Sequence, residues 1–181
     1  MTVKTTPWQD LFPQRCTLVT VARVGGRTII GNRFAIWDAE ALRPYVPTVP
    51  AVDGRYEIRG RRLAPDPSPG WMPTGQDLHD ALAAAADRDH APVTITGWGY
   101  QGERVLITPA GQARSVPEGV ADLAIGLMDL RAATDPDKPL AAYRHTDDGL
   151  RLVGLIQGYN GYRNDPVAAA IAARGTYYAA T

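Results

Sequence analysis

The chain has 181 residues, 45% hydrophobic and 21% charged, which excludes intrinsic disorder and allows a substantial buried core. Lys and Arg together number 19, as do Asp and Glu, so no overall field steers the protein toward nucleic acid or an anionic membrane. The single cysteine, Cys16, excludes an internal disulfide, and it has no Cys or His neighbour at zinc-ligand spacing.

No stretch approaches the roughly 20 apolar residues that cross a bilayer. Met1 to Trp8 lacks the basic-then-apolar order of a secretory leader. The expectation is one α+β domain over residues 1–181, located in the cytoplasm, with no membrane contact and no cofactor.

The first predicted element is a hairpin, Cys16 to Val24 and Arg27 to Trp37, because Gly25-Gly26 supplies the positive φ angles of a two-residue turn. Pairing Val24 with Arg27 places Val19, Val21, Ile30, Phe34 and Ile36 on one face, and Leu18, Ala22, Ile29 and Trp37 on the other. A short helical turn capped by Asp38 follows at Ala39 to Arg43. Pro44, Pro47 and Pro50 then forbid its continuation. Residues 44–73 read as a Pro/Gly-rich arm carrying one strand, Arg55 to Arg61.

Thr74 with Asp77 forms a capping box for a helix running to about Arg88, with Leu78, Ala81, Leu82 and Ala85 as its buried stripe. A second hairpin spans Val93 to Tyr100 and Glu103 to Thr108, turning at Gln101-Gly102. Ser115 with Glu118 reads as another capping box. Val116, Val120, Leu123, Leu127 and Leu130 then recur at helical spacing up to Asp135-Pro136. A third hairpin, Leu140 to Asp147 and Leu150 to Gln157, turns at Asp148-Gly149, and a last helix starts at Asp165-Pro166 and stops before Gly175. The predicted fold is an antiparallel or mixed sheet of three hairpins with about three helices packed on it.

The chemistry-bearing motifs are sparse. There is no phosphate loop, no dinucleotide fingerprint and no nucleophile elbow, and Ser68 and Ser115 are the only serines. His79, His90 and His145 lack metal-ligand spacing. The enzymatic alternative is a small acid–base site of His145 with Asp147 or Asp148.

Recognition is the better-marked chemistry. Arg55, Arg59, Arg61 and Arg62 with Tyr56 are candidates for nucleic-acid contact, since guanidinium forks bind phosphate oxygens and aromatic rings stack on bases. Tyr159, Asn160, Tyr162 and Arg163, with Trp98 and Tyr100, are candidates for binding a protein partner or a second copy of the chain, because Tyr, Trp and Arg dominate binding hot spots. The function expected is that of a non-catalytic binding or assembly protein.

Two segments carry a family resemblance. Lys138-Pro139-Leu140 to Tyr143, Asp147-Asp148-Gly149 and Leu152 to Ile156 together resemble the closing hairpin of DNA sliding-clamp modules, and Ile29 to Ile36 resembles one of their early strands. That resemblance implies an oligomeric ring, Arg-bearing helices facing DNA, and a surface groove that receives partner peptides.

Overall fold

Where turn chemistry is local, the chain folds as its sequence directs. Gly25 and Gly26 take φ angles of 58° and 73° and pair Val24 with Arg27 across the first hairpin. The computed structural model describes residues 3–14 and 16–158. Their elements are β1 (Leu18–Val24), β2 (Arg27–Gly31), β3 (Ala35–Asp38), β4 (Gly54–Arg59), β5 (Arg62–Pro65), α1 (Gly75–Ala86), β6 (His90–Pro92) and β7 (Thr94–Tyr100). There follow β8 (Glu103–Ile107), β9 (Ala113–Pro117), α2 (Glu118–Gly126), β10 (Asp129–Ala133), β11 (Leu140–Thr146) and β12 (Gly149–Ile156).

Nine strands form one antiparallel sheet in the order β5-β4-β1-β2-β3-β12-β11-β10-β6. The other three form a small sheet, β7-β8-β9. The fold is therefore mostly β, with two α-helices among the described residues. It is not the α+β arrangement of three hairpins and three helices that the sequence suggests.

Three departures have physical causes. The expected strand from Arg27 to Trp37 is two strands, because Asn32 reverses the chain. Its Oδ1 accepts from the Phe34 and Ala35 N–H groups (2.9 and 3.1 Å), and its amide donates to the Leu18 carbonyl (3.1 Å). The reversal exchanges the faces of the next two residues. Trp37 joins Val19, Val21 and Ile30, while Ile36 joins Ile29.

Residues 44–73 are not an arm throughout. Gly60, at φ 64°, turns the expected Arg55 to Arg61 strand into a hairpin, and β4 is hydrogen-bonded to β1 inside the sheet. The helix expected from Ser115 up to the Asp135-Pro136 break is strand, short helix and strand. Val116 in β9, Val120 and Leu123 in α2 and Leu130 in β10 all enter one core, so tertiary packing produced a spacing that mimics a helical stripe. Ser115 caps nothing, since its hydroxyl donates to Glu103 Oε2. The helix expected after Asp165 lies outside the described residues.

The central strands are covered on both faces. On one, Leu78, Leu82 and Ala85 of α1 pack on Ile29, Ile36, Leu152 and Leu155. The Thr74 box holds the start of α1, its hydroxyl accepting from the Asp77 N–H (3.1 Å) while the Asp77 carboxylate accepts from the Thr74 N–H (2.7 Å). On the other face, Val19, Val21, Ile30, Trp37, Val153 and Ile156 meet Trp8, Leu11, Phe12 and Leu42, together with α2 and the inner residues of the small sheet. The outermost strands are short and each contains a proline, Pro65 in β5 and Pro92 in β6.

Trp37 is fully buried and donates its Nε1–H to the Leu11 carbonyl (2.9 Å). Its ring lies where a side chain on Gly154 would be, and a Cβ there would stand 2.2 Å from Cε3 and 2.5 Å from Cζ3. Gly154→Ala is expected to cost about 2–3 kcal/mol and lower Tm by about 5–10 °C, as overpacking does, measured by urea and thermal unfolding.

Candidate functional site

The arm arginines are largely committed to the protein itself. Arg55 forms an ion pair with Asp66 (2.8 Å) and donates to the Gly70 carbonyl (2.8 Å). The Ser68 hydroxyl and Arg55 together hold the Asp66 carboxyl below the usual carboxylate range. Tyr56 is 6% exposed and donates its hydroxyl to the Val52 carbonyl (2.7 Å), so its ring has no free face for a base. Arg59 pairs with Glu57 (2.8 Å), Arg61 donates to the Thr5 hydroxyl (2.5 Å), and Arg62 stands opposite Arg59 in the β4–β5 register. Neither α1 nor α2 contains Lys or Arg, so these two helices offer no basic face of the kind a clamp-like module implies.

Trp98 folds back over Val105, Ile107 and Ala113 on the small sheet. The side chain of Tyr100, and residues Tyr159, Asn160, Tyr162 and Arg163, lie outside what the structure describes.

The histidines are placed by register. His145 Nε2 lies 3.1 Å from Asp129 Oδ2, across β11 and β10; Asp147 and Asp148 form the hairpin tip. Two residues away on β11, the Tyr143 hydroxyl is 3.0 Å from His90 Nδ1, and the Arg131 guanidinium sits 5.6 Å from the centre of the Tyr143 ring. Burial pushes the Tyr143 hydroxyl up, with Arg131 opposing, and burial pushes His90 down. Among the described residues, no three His, Cys, Asp or Glu side chains are grouped to hold a metal.

A different recognition feature lies at the edge of the Asn32 turn. A groove of about 220 Å³ is lined by Cys16, Leu18, Arg33, Phe34, Trp71 and Met72 among others. One wall is set by the Asn32 turn, which presents Arg33 with its guanidinium 4.6 Å from the centre of the Phe34 ring. The other wall is the end of the Pro/Gly-rich segment. It is pinned by the Thr20 hydroxyl donating to the Pro73 carbonyl (2.7 Å) and by Arg55 on the Gly70 carbonyl.

Trp71 is 75% exposed, more than any other large hydrophobic residue among those described. Arg33 forms no ion pair among the described residues. Burial pushes the Cys16 thiol up, with the nearby Arg33 opposing.

No family model, curated protein or solved structure matches the chain. No helix among the described residues is long and apolar enough to cross a membrane.

Trp71 and Arg33 carry no motif in the sequence, and Phe34, expected on the core face of the first hairpin, is instead half-buried at the groove wall. Gly70-Trp71-Met72-Pro73 offered the available signal, a tryptophan in a segment with no periodicity that could bury it.

His90 yields a pH dependence with a defined sign. Its folded-state affinity for a proton is below that of the unfolded chain, whose histidine titrates at about 6.5, so its neutral form is compatible with the fold and protonation opposes it. Stability is expected to fall as pH drops below about 6.5, and to fall less steeply in His90→Gln, with Tm followed from pH 7.5 to 5.5. Parallel profiles in the two proteins would refute it.

Proposed function

We propose that the protein is a non-catalytic binding protein, and that its groove at Trp71 and Arg33 receives an extended segment of a protein partner. The segment would carry a bulky apolar side chain flanked by carboxylates.

The exposed Trp71 indole carries this reading. An indole left in water beside Phe34, Met72 and Leu18 forgoes roughly 3 kcal/mol that burial would return at about 25 cal/mol per Å². Trp and Arg are the residues that most often dominate interface energetics. The stacked Arg33 guanidinium supplies one positive charge at the groove wall, which favours an acidic neighbour to the inserted side chain. Among the described residues, the groove lining carries no histidine and no carboxylate to act as an acid or base.

Selection of a displayed random-peptide library against the whole chain should enrich peptides with an aromatic or Leu residue next to Asp or Glu. Trp71→Ala should weaken those peptides by about tenfold or more, and Arg33→Glu should abolish the acidic preference, with Tm nearly unchanged in both. No enrichment, or peptides indifferent to both substitutions, would overturn the proposal.

A further inference from the structure

At the junction of β2, β3, β11 and β12, an excess of positive charge is built around one buried carboxylate. Asp38 is 0% exposed at the end of β3. Its Oδ2 meets Arg27 of β2 (3.4 Å) and Arg151 of β12 (2.9 Å), and its Oδ1 accepts from the Ala41 N–H (3.2 Å). Arg144 of β11 donates to the Ala41 carbonyl, which brings a third guanidinium to the same turn. Arg27 also donates to the Leu152 carbonyl (2.8 Å).

One arginine is enough to neutralise a buried carboxylate. Arg43 and Glu40, in the following turn, neutralise each other at 3.2 Å. Counting that pair, four guanidiniums meet two carboxylates. Asp147 and Asp148, at the hairpin tip, form no ion pair with any of these arginines among the described residues.

The surplus is also strained, because Arg144 and Arg151 stand directly opposite each other in the β11–β12 register, and like charges in that relation repel. Arg151 is nevertheless 46% exposed, and so able to reach a ligand. Each guanidinium carries five N–H donors. The hydrogen bonds made within the protein, among the described residues, occupy one nitrogen of Arg144 and one of Arg151.

We propose that Arg144 and Arg151, backed by Arg27 on the Asp38 carboxylate, form a receptor for a phosphate group. A dianionic phosphate matches the local surplus of two positive charges, and its oxygens suit forked guanidinium donors better than a single carboxylate does. Binding would relieve the Arg144–Arg151 repulsion. The site shares no residue with the Trp71 groove, and the two stand or fall separately.

The test uses the whole chain at low ionic strength, with inorganic phosphate and pyrophosphate as probes. The side-chain Nε–H resonances of Arg144 and Arg151 in the unsubstituted protein should shift saturably at millimolar phosphate. The joint substitution Arg144→Gln and Arg151→Gln should weaken pyrophosphate binding by about tenfold or more, while Trp71→Ala leaves it unchanged. A duplex of about 20 base pairs distinguishes the sources of the phosphate: a duplex that binds and is displaced by pyrophosphate assigns a nucleic-acid backbone, and pyrophosphate binding without duplex binding assigns a small phosphorylated ligand. Resonances that do not move with either probe in the unsubstituted protein overturn the receptor, as does undiminished binding in the folded double variant.

Discussion

The fold rests on the contact between the Trp37 indole and the bare backbone of Gly154. β3 and β12 are neighbours in the sheet, with Trp37 directly across from Gly154. A side chain on β12 at this point would exclude the ring from the space it fills. With the ring in place, its Nε1–H satisfies the Leu11 carbonyl, and the N-terminal segment bearing Trp8, Leu11 and Phe12 is tied onto the sheet. The contact therefore joins the two halves of the nine-stranded ladder and seats the layer that covers it. Its dependence on the Asn32 reversal is close, because without that turn Trp37 would emerge on the α1 side.

How much of this is legible in the sequence depends on the range of the determining interaction. Gly25-Gly26, Gln101-Gly102 and the Thr74–Asp77 box act within four residues, and each forms where the sequence puts it. The Asn32 turn is also local, but the apolar run on both sides conceals it, since Ile29 to Trp37 alternates well enough for one strand. The β4–β5 hairpin was hidden by charge. Four arginines and a glutamate suggest a solvated strand, and only the pairing of β4 with β1, more than 30 residues earlier, shows that Tyr56 and Ile58 belong to the core. The stretch from Val116 to Leu130 is the hardest case, for a strand, a two-turn helix and a strand deliver side chains to one core with helical spacing.

The same distinction applies to the sites. In the sequence His145 stands beside Asp147 and Asp148, whereas the carboxylate it reaches in the structure, Asp129, is near only through strand pairing. The arginines at residues 27, 144 and 151 attract no notice as isolated letters. They become a cluster when β2, β3, β12 and β11 are laid side by side around Asp38. Trp71 is the opposite case, a residue whose significance lies in what the fold leaves undone, since no element among the described residues closes over it.

The prolines at the two margins of the large sheet limit how this protein can meet others. Pro65 and Pro92 lack the N–H that a docking strand would need, and each margin is only three or four residues long. Each proline withholds one donor from the edge of its strand, which disfavours extension of the ladder by strand addition at these margins. Association at these margins relies correspondingly more on side chains, whose identity can be selective, than on a backbone that would accept almost any extended polypeptide.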